Sequence, residues 1–393
     1  MQRTMRGKRV VFFSTPAKGH VNAVYPVLRA LARAGVQVDW YGTEEYRELI
    51  VSCGAAWHSY RIDFSRYRLE ELTADFYRLY RGLLKLNRAC YFDYILEVEA
   101  NPPDVILYDS MCSFAKNIAK KLGIPSVCLC TTLAYNLPTL VFSNLFWPSL
   151  TLSLRHAPEL LRLTRKEQCF RRREGLPRFA PLDLFVNRGD RTIVFSPPEF
   201  QPFARSFPPS FVFAGTTVGD RIETDAAVES CDIYLSLGSI FAARAGELET
   251  LLESPLFRGK KVIVSAGAAA EELQKRIGRE RLSFVRRTNQ LALLGKTGLF
   301  VNHGVLNSVY ESLYCGVFQI CIPQQEEQRL TALLVEKKKL GLCCPQPRGW
   351  SKAELRRAEL KCRPQIERYQ RILKSYDGTA RALRCIRELL RRR

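Results

Sequence analysis

Residues 10–41, VVFFSTPAKGHVNAVYPVLRALARAGVQVDWY, contain the pattern that decides the fold. An apolar run at residues 10–13 is followed by a segment with a proline and a glycine, and a second apolar run lies at residues 36–41. The apolar residues between the runs fall three and four apart, as on one face of a helix: Val24, Leu28 and Leu31. Gly35 is typical of a helix end. The stretch therefore predicts a strand, a loop, a helix and a second strand, which is typical of a parallel sheet covered on both faces.

The same alternation recurs along the chain. Further apolar runs that predict strands lie at residues 105–108, 126–130, 192–196, 232–237, 261–265, 299–301 and 319–322. A polar segment that suits a linker separates the pattern into two halves. We predict an α/β protein with two doubly wound parallel-sheet domains: an N-terminal domain at residues 1–214, a linker at 215–230, a C-terminal domain at 231–365 and a basic C-terminal helix at 366–393. Ligands of such sheets bind beyond the carboxyl ends of the strands, so two facing halves predict a central cleft.

The composition limits the class of protein. The chain has 393 residues, of which 47% are hydrophobic and 25% charged, as in an ordinary globular protein of about two domains. Its thirteen cysteines include no Cys-x-x-Cys pair, so we predict no metal site and expect reduced, mostly buried thiols. The apolar stretches are too short for a membrane span of about 20 residues, and the N-terminus lacks the apolar run of a signal peptide. We therefore expect a cytoplasmic protein.

A formal net charge of +21 is the unusual bulk property of the chain. Residues 352–393 contain 14 Lys and Arg against 5 Asp and Glu, and Leu383, Ile386 and Leu390 share one helical face there. We interpret this segment either as a packed helix with a solvated basic face or as a peripheral contact with an anionic membrane at its inner face. Because no nucleic-acid-binding motif accompanies the charge, we do not predict a nucleic acid as a partner.

Two of the four histidines stand where such a fold binds ligands. His20 closes the loop after the first strand, and His303 lies between Asn302 and Gly304, at the end of the strand at residues 299–301. Asp109 follows the strand at residues 105–108 and could reach His20 if the first and fourth strands are neighbours. A carboxylate on one imidazole nitrogen fixes the tautomer and leaves the other nitrogen as a base. A lone aspartate at a strand end is also a common cap, and that alternative stays open.

The segment NHGVLNS at residues 302–308 leads from a strand into a helix. Successive backbone amides at such a helix N-terminus, together with the helix dipole, favour an anion. The imidazole of His303 and the hydroxyl of Ser308 could add hydrogen-bond donors. We interpret the segment as an anion site, with an ordinary strand–helix turn as the alternative.

Together these segments resemble the UDP-glycosyltransferases of the GT-B fold, especially the bacterial macrolide-type glycosyltransferases. The motifs that carry the resemblance are FSTPAKGHVN at residues 13–22, YDS at 108–110, SLGS at 236–239, NHGVLNS at 302–308 and PQQEEQ at 323–328. They are similar to the family's histidine loop, its acidic partner segment, the turn that opens its second domain and the two parts of its donor signature. They occur in the family's order along nearly the whole chain.

The resemblance implies a fold and an activity. The fold would have two Rossmann-like domains that face a central cleft, with the C-terminal helix packed back on the N-terminal domain. The activity would be inverting, metal-independent transfer of a sugar from a nucleotide-sugar, expected to be a UDP-sugar, to a hydroxyl of a hydrophobic small molecule. The donor is a co-substrate, so no cofactor is expected. A glycolipid-forming transferase at the membrane surface and a non-catalytic protein that binds a nucleotide-sugar or a partner are the alternatives.

The resemblance also implies roles for single residues. His20 would be the general base with Asp109 as its partner, Glu311 would bind the ribose, and His303 and Ser308 would hold the diphosphate. The full set of implied donor-binding residues is Gly238, Ser239, Gln290, His303, Gly304, Leu306, Asn307, Ser308, Glu311, Glu327 and Gln328. Thr131 and Thr132 follow a strand end and are candidate phosphate contacts. Aromatic residues that could line the acceptor pocket, or equally pack in the core, are Tyr77, Tyr80, Tyr91, Phe92, Phe142, Phe146 and Trp147.

Four features depart from the family's pattern, and one of them is Thr288-Asn289-Gln290 in place of Val-Pro-Gln in the base region. Val305 stands where the second glycine after the histidine is usual, Phe318 replaces the proline of Gly-Val-Pro, and Glu327 is one methylene longer than the usual aspartate. A pocket that recognises a sugar by hydrogen bonds is sensitive to such changes. They bear more on which sugar and nucleotide the chain accepts than on the fold.

Overall fold

The computed structural model describes residues 5–64, 76–142, 156–184, 187–222, 228–238, 245–345 and 350–391. The chain divides into two compact units. The first, the N-unit, is formed by Met1–Thr217 with Asp377–Arg393, and the second, the C-unit, by Val218–Tyr376. Each unit contains its own parallel sheet with helices, which confirms the predicted fold class.

The N-unit contains a seven-stranded sheet in the spatial order β3-β2-β1-β4-β5-β6-β7, with every neighbouring pair parallel. The strands are β1 (Arg9–Phe13), β2 (Gln37–Gly42), β3 (Ala56–Ser59), β4 (Val105–Asp109), β5 (Ser126–Cys130), β6 (Arg191–Val194) and β7 (Phe211–Phe213). The helices are α1 (Lys18–Arg33), α2 (Arg47–Ser52), α3 (Phe76–Ala100), α4 (Ser113–Leu122), α5 (Leu137–Phe142), α6 (Ala157–Arg173) and, from the far end of the chain, α13 (Gly378–Leu390). Short 3-10 turns lie at Glu44–Tyr46, Pro181–Leu184 and Ala204–Ser206.

The C-unit contains a six-stranded sheet in the order β10-β9-β8-β11-β12-β13, again with parallel neighbours. The strands are β8 (Cys231–Ser236), β9 (Val262–Ser265), β10 (Leu282–Val285), β11 (Thr297–Asn302), β12 (Phe318–Cys321) and β13 (Leu342–Cys343). The helices are α7 (Ala245–Leu252), α8 (Ala270–Ile277), α9 (Gln290–Leu294), α10 (Leu306–Cys315), α11 (Glu326–Lys337) and α12 (Lys352–Ser375). Short 3-10 turns lie at Gly219–Arg221 and Gly267–Ala269.

The strand order reverses once in each sheet, and these reversals position the candidate sites. In the N-unit the reversal lies between β1 and β4, where Phe13 pairs with Tyr108. In the C-unit it lies between β8 and β11, where Ser236 pairs with Asn302. The connections leave such neighbouring strands in opposite directions, so a crevice opens beyond their carboxyl ends. The loops that follow these four strands are therefore the places where each unit can bind a ligand.

Helix α1 begins earlier than the sequence predicts. His20 lies in its first turn and not in the loop, because the helix already starts at Lys18. The residue before the helix is Ala17, which offers no side-chain hydrogen bond to cap it. Without a capping side chain the usual signal for a helix start is missing from the sequence.

The C-terminal helix α13 belongs to the core of the N-unit, as predicted. Ile386 and Leu390 on its apolar face are fully buried in the same cluster as Val24 and Leu28 of α1. Burial of one such side chain contributes about 1.5–3 kcal/mol to stability. The basic segment is two helices, since α12 ends at Ser375 and Asp377 caps α13 with a 2.7 Å hydrogen bond from the N–H of Ala380.

The structure also bears on the predictions about the cysteines and about membrane-spanning segments. All thirteen cysteines are free thiols and most are buried, with Cys169 exposed. No helix in the described ranges has the length and apolar character needed to cross a bilayer.

Candidate functional site

His20 and Asp109 meet where the strand order of the N-unit reverses. His20 projects from the first turn of α1, and Asp109 is the last residue of β4. Their contact joins Nδ1 of the imidazole to Oδ2 of the carboxylate over 2.8 Å. The side chain of Asp109 is 1% exposed and that of His20 is 20% exposed. A buried carboxylate thus holds an imidazole that keeps access to solvent.

Several donors converge on the carboxylate of Asp109. The hydroxyl of Thr15 donates to Oδ1 at 2.6 Å and the N–H of Met111 to the same oxygen at 3.0 Å. Burial raises the pKa of Asp109, but the positive charge of protonated His20 and the hydrogen bonds from His20, Thr15 and Met111 lower it more, so the net pKa is below its ordinary value. Asp109 is therefore ionised at neutral pH. Because a carboxylate only accepts, Nδ1 of His20 carries a proton, and in the neutral form of the imidazole Nε2 carries the lone pair.

The two threonines that were predicted as phosphate contacts have different surroundings. Thr131 is buried, with its hydroxyl oxygen 2.7 Å from Nδ1 of His20 and donating to Oδ2 of Asp109 at 3.3 Å. Thr132 is half-buried, and its hydroxyl donates to the backbone oxygen of Leu133 at 3.2 Å. Thr131 is therefore placed to hold the imidazole against the carboxylate.

The aromatic candidates for an acceptor pocket do not share one environment. Tyr80 and Tyr91 are buried in two separate apolar clusters of the N-unit. Tyr77 is half-buried and stacks on His156 with a centroid distance of 4.5 Å, whereas Phe92 is 53% exposed. The side chain of Phe142 and the residues Phe146 and Trp147 lie outside the described part of the chain.

His303 follows β11 at the corresponding reversal of the C-unit. Its Nδ1 lies 3.2 Å from the carbonyl oxygen of Ser236, which can only accept, so Nδ1 carries the proton and Nε2 the lone pair. Burial lowers the pKa of His303 to about 4, although the hydrogen bond to Ser236 opposes the shift. Nε2 faces Gly238, where a Cβ atom would lie 3.3 Å from it and where φ is +78°. The imidazole is neutral at pH 7.

The turn after His303 requires one glycine and accepts a valine. Gly304 has φ +82°, and a Cβ there would lie 2.8 Å from the backbone oxygen of Gln328. Its N–H donates to the side-chain oxygen of Asn302 at 2.7 Å. Val305 has φ −64° and ψ 133°, an extended conformation open to any residue. The departure at Val305 therefore leaves the backbone of the turn unstrained.

Glu311 is the centre of a buried hydrogen-bond network. Nη1 of Arg221 lies 2.6 Å from Oε1, and the side-chain amide of Asn307 donates to the same oxygen at 2.7 Å. The side-chain amide of Gln290 donates to Oε2. Arg221 and Glu311 are only 7% and 3% exposed, so they form a buried ion pair. The carboxylate predicted to bind ribose is thus already bonded within the C-unit.

Both the oxygen and the nitrogen of the Gln290 side-chain amide have hydrogen-bond partners. Its oxygen accepts from the hydroxyl of Tyr234 at 3.2 Å, and its nitrogen lies 3.4 Å from the hydroxyl of Ser308 in addition to bonding Glu311. Asn289 caps α9 by accepting from the N–H of Ala292 at 3.1 Å. The start of α9 is therefore held beside α10.

Of the other predicted donor residues, Glu327 and Gln328 lie at the start of α11. Gln328 is buried, and its side-chain oxygen accepts from the N–H of Gln324 at 2.9 Å. The side chain of Gln324 donates to the backbone oxygen of Leu237 at 2.9 Å, which ties this turn to the end of β8. Glu327 is exposed in the first turn of α11, and Leu306 is buried. Ser239 lies outside the residues that are described.

Sequence reasoning missed two residues that the structure brings to these sites. Thr15 lies inside the quoted histidine loop, so its hydroxyl could have been suspected as a partner of the acidic segment. Arg221 lies in the polar stretch predicted as a linker, where no periodicity or motif distinguishes it. It is found only because the 3-10 turn at Gly219–Arg221 packs against α10.

Comparison with known proteins relates the chain to glycosyltransferases. Residues 225–354 match the family described as UDP-glucoronosyl and UDP-glucosyl transferase. The chain is 29% identical over 374 residues to the NDP-glycosyltransferase YjiC of Bacillus licheniformis, which covers 90% of this chain and 89% of that protein. The chain is a nucleotide-sugar glycosyltransferase that is similar to this family over residues 225–354.

Solved structures relate this glycosyltransferase to known folds. The calicheamicin glycosyltransferase CalG4 superposes with a TM-score of 0.79 at 21% identity, over 98% of this chain and 99% of that one. The glycosyltransferase VinC, solved in complex with DTDP, superposes with a TM-score of 0.67 at 16% identity, over 98% and 100% of the two chains. The glycosyltransferase therefore has the GT-B fold that its motifs imply.

The glycosyltransferase is expected to lose stability through His303 as the pH falls from 7 to 5. The pKa of this group is about 6.5 when unfolded and about 4 when folded, so the unfolded chain binds more protons between these values. Acidification therefore favours unfolding, by up to about 2 kcal/mol at pH 5. Urea denaturation at both pH values should show a smaller loss for His303→Gln than for wild type. Equal losses would contradict the burial of a neutral imidazole.

Proposed function

We propose that the glycosyltransferase moves a sugar from a nucleotide-sugar, expected to be a UDP-sugar, to a hydroxyl of a hydrophobic small molecule, with inversion at the anomeric carbon. His20 acts as the general base and Asp109 as its partner. The observation that carries the proposal is the 2.8 Å contact between Nδ1 of His20 and the buried carboxylate. This contact directs the basic nitrogen, Nε2, away from the carboxylate.

On the acceptor side, the chemistry needs a stronger nucleophile. A hydroxyl group is weakly nucleophilic at neutral pH, and a positioned base accelerates its attack by about 10²–10⁴-fold. Nε2 of His20 would take the hydroxyl proton as the bond to the anomeric carbon forms, and ionised Asp109 would stabilise the imidazolium. Thr15, Met111 and Thr131 hold the carboxylate or the imidazole in place. The pair therefore needs little rearrangement during the reaction.

On the donor side, negative charge grows on the departing diphosphate. The first N–H groups of α10 have no intrahelical acceptor, and Val305 before them offers no side-chain cap. These amides and the hydroxyl of Ser308 can meet the charge without reorganisation. Nε2 of His303 can donate only after it takes up a proton, which a nearby diphosphate favours. The proposal assigns the leaving group to these donors and needs no metal.

Transfer itself provides the test of the proposed function. Purified protein would be incubated with UDP- and dTDP-sugars and a set of hydrophobic phenols and alcohols, with and without EDTA. Release of nucleoside diphosphate together with a glycoside of inverted anomeric configuration, unaffected by EDTA, is the expected result. Nucleotide binding without transfer to any acceptor, a retained configuration, or loss of transfer in EDTA would contradict the proposal.

Glu311 leads to a prediction about the nucleotide. The resemblance assigns this carboxylate to the ribose hydroxyls, but Arg221, Asn307 and Gln290 already donate to it. A carboxylate offers about four acceptor positions, so room remains for about one ribose hydroxyl. A ribose that lacks the 2′-hydroxyl is therefore expected to bind as well as one that has it. The solved complex of VinC with DTDP is in line with this expectation.

The matched ligands UDP and 2′-deoxy-UDP isolate this effect, because they differ by one hydroxyl. Titration calorimetry should give dissociation constants that agree within about threefold, since a lost hydrogen bond to a charged group would cost about 1.5–3 kcal/mol. A loss of about tenfold or more for the deoxy ligand would show that Glu311 binds both hydroxyls.

A further inference from the structure

A basic groove lies on the N-unit between α3 and α6. It encloses about 810 Å³ and is lined by, among others, Phe92, Leu161, Arg162, Arg165, Lys166 and Arg173. A neighbouring depression of about 400 Å³ is lined in part by Arg81 and Lys85. Apart from Phe92, these residues belong to none of the candidate sets above. The proposed sugar-transfer reaction therefore assigns no role to this groove.

Four cations of α6 face solvent. Arg162, Arg165, Lys166 and Arg173 are all exposed. Within the described ranges, none of these four residues forms an ion pair. Their spacing of three, one and seven residues keeps them along one side of the helix. The positive charge of this side is therefore available to a ligand.

Two carboxylates of α6 and the residue that follows it are already hydrogen-bonded, one buried beside the groove and one in its lining. Glu167 is buried and accepts from Arg88 at 3.0 Å and from Arg171 at 3.1 Å. Glu174 lines the groove and accepts from the hydroxyl of Tyr91 at 3.0 Å. Glu174 keeps its negative charge, but the lining contains four exposed cations of α6, so the groove is positive.

Helix α3 adds apolar surface to the positive charge. Arg81, Lys85 and Arg88 follow one another at four and three residues, and Phe92 and Leu96 continue the same side of the helix. Phe92 is 53% exposed, Leu96 71% and, across the groove, Leu161 58%. Together these large exposed apolar side chains and the neighbouring cations, which have no ion pair among the described residues, form a patch of the kind that is typical of an interaction site.

An anionic bilayer supplies the matching chemistry. Its phosphates attract exposed lysines and arginines, and its acyl boundary accepts exposed leucine and phenylalanine side chains. The C-terminal helix cannot supply the apolar part, because Ile386 and Leu390 are buried in the core. We propose that the groove between α3 and α6 docks the N-unit on the surface of a membrane that contains anionic lipid. Docking would bring the enzyme to the place where hydrophobic acceptors concentrate.

Vesicle flotation with the full chain tests the proposal. The protein should float with vesicles of phosphatidylglycerol and phosphatidylcholine but not with phosphatidylcholine alone. Reversing three groove charges, Arg162→Glu/Arg165→Glu/Lys166→Glu, should weaken binding at least about tenfold. The matched control Arg356→Glu/Arg357→Glu/Lys361→Glu makes the same charge change at three exposed cations of α12 and should stay within about threefold. An unchanged thermal midpoint would show that each variant is folded.

Failure would be visible in the same experiment. Absence of flotation for wild type, or equal losses for the groove variant and the control, would overturn the proposal. The second result would mean that the net charge of the whole chain attracts the vesicle. Because flotation needs neither donor nor acceptor, these outcomes are independent of the proposed transfer reaction.

The reactivity of Cys169 can show whether the vesicle surface contacts the groove. It lines the groove and is the exposed thiol among the thirteen cysteines. Vesicles with phosphatidylglycerol should slow its reaction with a water-soluble disulfide reagent, and Cys169→Ser should remove the fast phase. Unchanged reactivity in floating protein would place the contact elsewhere. If glycerol phosphate or RNA slowed the reaction of Cys169 as much as the vesicles do, the groove would bind a soluble anion or a nucleic acid. That result would also overturn the proposal.

Discussion

Replacing His20 with alanine is expected to lower the rate of sugar transfer by about 10²–10⁴-fold and to leave nucleotide binding unchanged. The imidazole is held by Asp109 and Thr131 in the N-unit, whereas the residues assigned to the nucleotide belong to the C-unit. Removal of the proposed base is therefore expected to affect proton transfer and not the affinity for the donor. Initial rates at saturating donor and acceptor, together with calorimetry using UDP, would separate the two effects.

His58 provides a matched control for this variant. Its Nε2 lies 3.0 Å from Oδ1 of buried Asp39, so the N-unit contains a second histidine–aspartate pair. That pair joins β2 to β3, away from the reversal between β1 and β4. His58→Ala should transfer sugar at nearly the wild-type rate. If His20→Ala retained a rate within about threefold of wild type, His20 would not be the general base.

Replacing Arg221 with methionine is expected to reduce the free energy of unfolding of the C-unit by about 3–5 kcal/mol. The substitution leaves the carboxylate of Glu311 buried, with its cation removed and only the amides of Asn307 and Gln290 beside it. An unpaired buried charge is costly even where the intact pair contributes little. Urea denaturation followed by circular dichroism would measure the loss.

Two further variants test whether the loss of stability comes from the unpaired buried charge of Glu311. The double variant Arg221→Met/Glu311→Gln removes both charges and should recover a large part of the stability. Arg47→Met breaks an exposed pair with Glu44 at 3.2 Å and should change the stability by less than about 1 kcal/mol. If Arg221→Met cost no more than Arg47→Met, the pair would not be buried as described.

The sequence predicts the inner strands of both sheets and misses the outer ones. Strands such as β4 and β5 are buried at every residue, so they appear as continuous apolar runs. The strands that were not predicted are β3, β7, β10 and β13, which are the four edges of the two sheets. Edge strands are only partly covered, as in Ala56–Ser59, where no residue is fully buried. Their short and mixed sequences carry no clear strand signal.

The positions of the candidate site residues follow from strand ends, but their contacts do not. Asp109 comes directly after a predicted apolar run and His303 follows one after Asn302, and in the structure the strands end at Asp109 and at Asn302. The contact between Thr131 and His20 joins residues 111 apart, and that between Arg221 and Glu311 joins residues 90 apart. Such pairs depend on how whole helices and strands pack, which a local pattern does not contain. Arg221 was therefore assigned to a linker although it lies in the core of a network.

The location of α13 has a consequence for how the protein is made. Residues 378–390 fill part of the core beside α1, yet they are synthesised after the whole of the C-unit. A nascent chain that has just completed the first 217 residues still exposes the apolar surface that Ile386 and Leu390 will cover. The domain that leaves the ribosome first is thus the last to be completed, and until then it depends on protection from aggregation.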